Sequence, residues 1–93
     1  MSTLIITRHA ALVEYLVAKG YVPADSKVVS HASHEVVEGK DVWGVLPHSL
    51  SCLCNTFTEV PMDLPVELRG KELTLEDMYK YAGSPVTYTV RKI

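Results

Sequence analysis

The stretch LIITRHAALVEYL, residues 4–16, predicts a strand, a three-residue turn and the start of a helix. Leu4, Ile5 and Ile6 form an unbroken aliphatic run, which is typical of a strand buried on both faces of a parallel sheet. The apolar residues that follow recur at helical spacing as far as Gly20, and they are Leu12, Val13, Leu16 and Val17. A buried strand leading directly into a helix indicates an α/β fold.

The rest of the chain continues this alternation. Further strands are predicted at 27–32, 41–46, 56–62 and 86–92. Helices are predicted over 48–55, opened by Pro47, and over 74–81, where Thr74 and Asp77 have the spacing of a capping box. Segment 33–40 is too short for a full helix and predicts a loop or a single turn, and 63–73 predicts a loop. Residues 1–93 are therefore expected to form a single α/β domain whose sheet is mainly parallel and flanked by helices.

Three finer expectations concern the sheet. The strand at 41–46 is almost wholly apolar, which favours a central position, whereas Pro61 places the strand at 56–62 at a sheet edge or marks its end. The last strand alternates β-branched and polar residues, as a half-exposed strand does, and an antiparallel edge is compatible with this order.

Size and charge narrow the classes of function. The chain has 93 residues, 47% of them apolar, and a formal net charge of −2. This balance disfavours a general DNA or RNA binder, which normally presents a basic face, but leaves room for a small phosphorylated ligand. The chain has no apolar run of membrane-spanning length and no signal-peptide pattern, so we expect no membrane partner and a cytoplasmic protein. A domain this small often completes a deep ligand site by dimerising.

Thr7, Arg8 and His9 lie at the predicted strand-to-helix junction. In open α/β sheets ligands bind where strands end and helices begin, and free N–H groups at a helix N-terminus favour anions. A hydroxyl, a guanidinium and an imidazole at that position predict a phosphate site, in which His9 can exchange a proton near neutral pH. The alternative is that Arg8 is a solvated turn residue and His9 merely begins a helix.

Two other segments are weaker candidates. Pro47, His48 and Ser49 open the second junction helix and are expected to face the same crevice, although an exposed histidine is often only that. In the loop at 63–73, Arg69 and Lys71 flank Gly70, and two cations around a glycine can wrap an anion. The alternative for that loop is solvated charge, partly neutralised by nearby glutamates.

No cofactor or metal is indicated. Cys52 and Cys54, one residue apart, make a poor disulfide or zinc pair and are expected to pack a helix. His31 and His34 lack an evident third ligand and are interpreted as loop histidines. Nucleotide-binding glycine motifs, a nucleophile elbow and an H-E-x-x-H helix are all lacking.

The motifs together resemble a known family. ITRH at 6–9, VWGVLPHSL at 42–50 and especially DLPVELRGKELTLEDM at 63–78 are similar to the small Csx-sixteen family encoded beside type III CRISPR systems. The similarity extends over 6–90, although the family pattern places a histidine where this chain has Ser49. The resemblance implies a Rossmann-like fold related to CARF domains, which sense cyclic oligoadenylates, and a homodimer with the ligand at its two-fold interface.

The resemblance also implies a function. The protein would be a ring nuclease that cleaves cyclic tetra-adenylate to linear oligoadenylates by metal-independent attack of the ribose 2′-hydroxyl, switching off type III effectors. Arg8, His9 and Lys71 are then the catalytic candidates, and Thr7, Pro47, His48, Ser49, Arg69 and Gly70 are the ligand-binding candidates. Two alternatives stay open: a sponge that binds the messenger without cutting it, and an interaction module for another CRISPR protein.

Overall fold

The computed structural model describes residues 3–93, along which strands and helices alternate. The strands are β1 (Thr3–Ile6), β2 (Lys27–Val29), β3 (Asp41–Gly44), β4 (Thr56–Glu59) and β5 (Val86–Tyr88). The helices are α1 (Ala10–Ala18), α2 (His34–Val37), α3 (His48–Ser51) and α4 (Leu75–Tyr81), and a 3₁₀ turn covers Val66–Leu68. The segment predicted as a loop or single turn is the one-turn helix α2.

The five strands form one sheet in the order β2-β1-β3-β4-β5. β1 is parallel to both β2 and β3, and β3 is parallel to β4. β5 runs antiparallel to β4 at the edge. The predicted fold class is thus confirmed as a Rossmann-like α/β arrangement with a mainly parallel sheet, and β3 is central as expected. β4 is an inner strand and ends before Pro61, so of the two interpretations of Pro61 the strand end is confirmed and the edge position is wrong.

β1 is buried on both faces, as its unbroken aliphatic run predicted. Ile5 packs into a cluster with residues of α1 and α4, on one face of the sheet. Leu4 and Ile6 pack on the opposite face with Val37 of α2 and Phe57 of β4. The side chains of Leu4, Ile5 and Ile6 are each at most 6% exposed. Burial of this strand stabilises both layers of the domain at once.

β3 ends at Gly44, two residues before its predicted end at Leu46. Gly44 has φ +137°, a conformation that L side chains rarely adopt. A Cβ built there would overlap the carbonyl oxygen of Ile6, its partner in the β1–β3 ladder, and lie 3.0 Å from that carbonyl carbon. The glycine therefore lets two central strands approach closely and turns the chain out of the sheet.

Other elements are shorter than predicted for local reasons. β2 ends at Val29, whose carbonyl accepts the last hydrogen bond from the β1 side, the N–H of Thr7 at 3.1 Å. β4 ends before Pro61, which has no N–H to donate. α3 covers 48–51 rather than 48–55. The N–H of Leu53 bonds the carbonyl of Leu50, three residues before it, at 3.0 Å, which is the tighter pattern of a 3₁₀ turn rather than of an α-helix. β5 has a partner only along 57–59, and Val86 and Tyr88 are 41% and 42% exposed, as expected of a half-exposed strand.

α4 begins as its sequence predicts. Thr74 is the N-cap, and its hydroxyl accepts the N–H of Asp77 at 3.2 Å while the Asp77 carboxylate accepts the N–H of Thr74 at 3.0 Å. This capping box fixes the start of α4, which packs beside α1. Within residues 3–93, every helix is too short or too polar to cross a membrane.

Asp41 at the start of β3 supports the sheet through two hydrogen bonds. Its carboxylate accepts from Asn55 Nδ2 and Thr56 Oγ1, both at 2.8 Å. These two bonds, of which the Asn55 bond has the larger effect, lower the pKa of Asp41 below its usual 3.8. Because the pKa of Asp41 is lower in the folded than in the unfolded protein, the two bonds stabilise the fold fully above pH 3.8. Their contribution to the free energy of unfolding is lost as the pH falls through the folded-state pKa.

We expect Asp41→Ala to lower the free energy of unfolding at pH 7 by about 1 kcal/mol, measured by urea denaturation.

The matched control is Asp25→Ala, at an exposed turn position. Asp25→Ala should change the free energy of unfolding at pH 7 by less, within about 0.5 kcal/mol. The difference between wild type and Asp41→Ala should shrink below pH 3.8, where Asp41 is protonated in the unfolded chain. A difference that stays constant across that range would contradict a role for the ionised carboxylate.

Candidate functional site

The strand order creates a crevice between β1 and β3. From β1 the chain passes to β2 on one side, whereas from β3 it passes to β4 on the other side. Adjacent strands whose connections leave in opposite directions form the switch point at which open α/β sheets bind ligands. The segments following the carboxyl ends of β1 and β3 are residues 7–9 and 45–47, so two of the three candidate segments begin at this edge of the sheet. Pro47, His48 and Ser49 nevertheless line neither of the pockets at 7–9, contrary to the expectation that they share one crevice.

Thr7, Arg8 and His9 form the junction between β1 and α1. The Thr7 hydroxyl oxygen accepts the backbone N–H of His9 at 3.1 Å, which fixes the turn. His9 is the N-cap of α1, but its side chain makes no capping bond, and both it and Arg8 are exposed. The imidazole is therefore available to a ligand rather than used by the helix.

A pocket of about 220 Å³ opens at this junction, here called the polar pocket. It is lined by Ile6, Thr7, Arg8, His9, Ser30 and Val45. All three predicted junction residues line it together. It lies at the N-terminus of α1, whose first turn has no acidic residue. The guanidinium and the partial positive charge of the helix end, about half an elementary charge, both favour an anion here.

His31 holds Arg8 at the rim of the polar pocket. Arg8 Nη2 lies 3.4 Å from His31 Nδ1, and because a guanidinium can only donate, the imidazole nitrogen is the acceptor in this hydrogen bond. The interpretation of His31 as an ordinary loop histidine thus missed a contact with the candidate site. The signal was its position two residues after β2, at the same sheet edge. His34, by contrast, pairs with Glu38 at 3.5 Å, and both side chains are exposed.

A second cavity, here called the apolar pocket, adjoins the polar pocket and measures about 140 Å³. Thr7, His9 and Val45 line both. Its other lining residues are Leu12, Leu16, Gly44, Val60, Met62, Leu73 and Met78. It lies on the α1 and α4 face of the sheet.

His48 and Ser49 lie beside the C-terminal segment of the chain. One pocket of about 300 Å³ is lined by His48, Ser49, Cys52, Val90, Arg91 and Lys92. His48 also lines a neighbouring pocket of about 320 Å³ with Glu59 and Tyr88. The Tyr88 hydroxyl donates to Glu59 Oε1 at 3.1 Å, and this bond raises the pKa of Tyr88 above its usual value. Pro47 is the N-cap of α3 and lines neither pocket.

Sequence reasoning missed Arg91 and Lys92. The structure places these two cations against His48 and Ser49, where the prediction had named no cation. Both follow the β5 segment at the end of the chain, so only their charge could have drawn attention to them. Their distance in sequence from His48 hid the juxtaposition.

Arg69, Gly70 and Lys71 stand apart from the pockets described above. They form an exposed turn in which the N–H of Lys71 bonds the Leu68 carbonyl at 3.3 Å, and Gly70 has φ +81°. None of the three lines the polar or the apolar pocket. Leu73, two residues further on, does line the apolar pocket, so the turn is joined to the site only through its neighbour.

Cys52 and Cys54 are free thiols, and Cys54 packs against the core beneath α3, where burial raises its pKa. Within residues 3–93, no three His, Cys, Asp or Glu side chains come together in a way that could hold a metal ion.

Comparison with known proteins gives one match. The model of a family described as "Putative CRISPR-associated protein (Cas_VVA1548)" matches residues 4–91. Searches of curated proteins and of solved structures found no match.

Proposed function

The chain belongs to the Cas_VVA1548 family of CRISPR-associated proteins, and from that premise we propose that it is a ring nuclease of the Csx-sixteen type. Its substrate would be cyclic tetra-adenylate, the second messenger of type III CRISPR defence. Cleavage to linear oligoadenylates would remove the messenger and switch off the effectors that it activates.

One observation carries this proposal. Thr7, Arg8 and His9 line one pocket at the β1–β3 switch point, at a helix N-terminus with no acidic residue in its first turn. This arrangement suits a phosphodiester, since it offers a fixed positive charge, a hydroxyl and a group that transfers protons at neutral pH. Family membership supplies the CRISPR context in which such a diester is a cyclic oligoadenylate.

The proposed reaction is an internal transfer of a phosphodiester. The ribose 2′-oxygen forms a bond to the adjacent phosphorus as the bond from phosphorus to the 5′-oxygen breaks. The 2′-hydroxyl loses its proton and the 5′-oxygen gains one, leaving a 2′,3′-cyclic phosphate and a 5′-hydroxyl. Arg8 stabilises the charge that develops on the phosphorane, and His9 moves a proton. The Thr7 hydroxyl, which can still donate its hydrogen, orients a phosphate or ribose oxygen.

The remaining candidates belong to a proposed homodimer. A cyclic tetranucleotide has four phosphates, so two copies of this chain around one ring could each contact two of them. In that arrangement His48 and Ser49 would hydrogen-bond phosphate or ribose, with Pro47 fixing the start of their helix. Arg69, Gly70 and Lys71, which are exposed, would approach the ligand bound at the partner copy, where Lys71 would supply charge.

A sponge is the second candidate function. Of the residues that the structure describes, His9 is the one histidine that lines the polar pocket, whereas the proposed reaction both removes and delivers a proton. A site with a single proton-transfer group can bind a diester more readily than it can cut one. Binding without cleavage is therefore the specific alternative.

The deciding experiment incubates the purified protein with labelled cyclic tetra-adenylate in EDTA and separates the products by chromatography. Linear di- or tetra-adenylate ending in a cyclic phosphate is the expected result. Recovery of activity only on adding Mn²⁺ would contradict the metal-independent mechanism. Ligand that is bound but intact after hours would identify a sponge, and ligand that is not bound at all would favour an interaction module.

A further inference from the structure

The apolar pocket lies where a nucleotide held at the polar pocket would place its next group. Thr7, His9 and Val45 form the shared wall of the two pockets. Arg8 lines only the polar side of this wall. A ligand whose charged group contacts Arg8 can therefore extend past Thr7 into apolar surroundings without leaving the site.

The size and depth of the apolar pocket suit a single flat ring of a ligand. Its volume is about 140 Å³, and an apolar cavity of roughly 150 Å³ is known to take up benzene. Leu16 and Met78, which line it, are only 0% and 3% exposed, so its inner end reaches the core between sheet and helices. It can hold a flat heteroaromatic ring but not a whole nucleotide.

The chemistry of the lining selects among bases. Thr7 and His9 are the two polar residues among the ten that line the pocket. Guanine, uracil and cytosine each have a carbonyl oxygen that would be buried against leucine, valine and methionine, which is costly without a hydrogen bond. Adenine has no carbonyl. The Thr7 hydroxyl oxygen accepts the N–H of His9 and has a second lone pair, which can accept a hydrogen from the adenine amino group.

We propose that the apolar pocket is an adenine subsite that sets the base specificity of the protein. This inference rests on the proposed function, because it assigns one base of the cyclic oligoadenylate to a place beside the phosphate at Arg8. Leu73 and Met62 form the side walls of the subsite.

The first test uses single nucleotides. Adenosine, guanosine and uridine 5′-monophosphates are titrated separately against the wild-type protein, and binding is followed by saturation-transfer NMR. We expect transfer to the adenine H2 and H8 protons to exceed transfer to the ribose protons. We also expect adenosine monophosphate to bind roughly tenfold more tightly than the other two. Equal binding of all three nucleotides would overturn the proposal.

A matched pair of variants locates the binding. Leu73→Trp fills the pocket, whereas Val66→Trp places the same ring at an exposed position in the same segment, where Val66 is 77% exposed. Leu73→Trp should weaken binding of adenosine monophosphate by roughly tenfold, and Val66→Trp should leave it unchanged. Thermal unfolding verifies that both fold, and Val60→Phe is the second filling variant if Leu73→Trp does not. Unchanged binding in a folded filling variant would overturn the proposal.

The same variants separate this proposal from the ring-nuclease proposal. If cyclic tetra-adenylate is never cut but adenosine monophosphate binding is lost in Leu73→Trp, the subsite stands and the nuclease does not. If cleavage occurs and is as fast in Leu73→Trp as in Val66→Trp, the nuclease stands and the subsite is wrong.

Discussion

Replacing Arg8 by alanine is expected to slow cleavage of cyclic tetra-adenylate about 100-fold while leaving the protein folded. Arg8 is exposed, so its loss creates no cavity in the core. Among residues 3–93, its guanidinium is the only lysine or arginine group that lines the polar pocket. Removing one donor aimed at a developing oxyanion typically costs roughly 100- to 1,000-fold in rate. Single-turnover assays with excess protein measure the chemical step directly.

The matched control is Lys19→Ala, which removes the same charge at the other end of α1. Lys19 Nζ lies 6.0 Å from the ring centre of Tyr79, away from both pockets, and its loss should leave the rate within about twofold of wild type. Arg8→Lys should recover only part of the lost rate, because an ammonium cannot form the paired contacts of a guanidinium. If Arg8→Ala cleaves as fast as Lys19→Ala, Arg8 does not act on the phosphate.

Replacing Gly44 by alanine is expected to lower the free energy of unfolding by at least about 3 kcal/mol, a large share of the stability of a small domain. The new Cβ would overlap the Ile6 carbonyl, which is backbone and cannot rotate away. Relief would require β1 and β3 to separate in the middle of the sheet, where each has strands on both sides. Urea denaturation followed by circular dichroism measures the change.

Gly39→Ala is the control for backbone conformation alone. Gly39 has φ +71°, but a Cβ there meets nothing within 4 Å. Its cost should be about 1 kcal/mol, the strain of a left-handed residue without a clash. Equal costs for the two variants would mean that β1 and β3 do not need their close approach.

Residues whose environment is local were predictable, and residues defined by the meeting of distant segments were not. The run Leu4–Ile6 identified β1, and its junction placed Thr7, Arg8 and His9 at a sheet edge. The spacing of Thr74 and Asp77 marked the start of α4, because a capping box involves only neighbours.

The features that the sequence did not reveal depend on contacts between distant segments. In VWGVL, Gly44 looked like one more strand residue, and only its partner across the ladder, Ile6, shows why the strand ends there. Arg91 lies beside His48 only because β5 adds to the far edge of the sheet, and no local pattern encodes that pairing. The basic turn at 69–71 had a suggestive sequence, yet it lies outside the pockets at the junction.

The position of β1 in the sheet has a consequence for how the chain folds as it is synthesised. β1 is made first, but both its neighbours, β2 and β3, come later, and α1 finds its packing partner α4 only near the end of the chain. Loop closure must therefore precede most of the stabilising contacts, which slows folding. A ribosome-bound chain would expose its most apolar strand until α4 has emerged, so the domain should acquire stability late and in a single cooperative step.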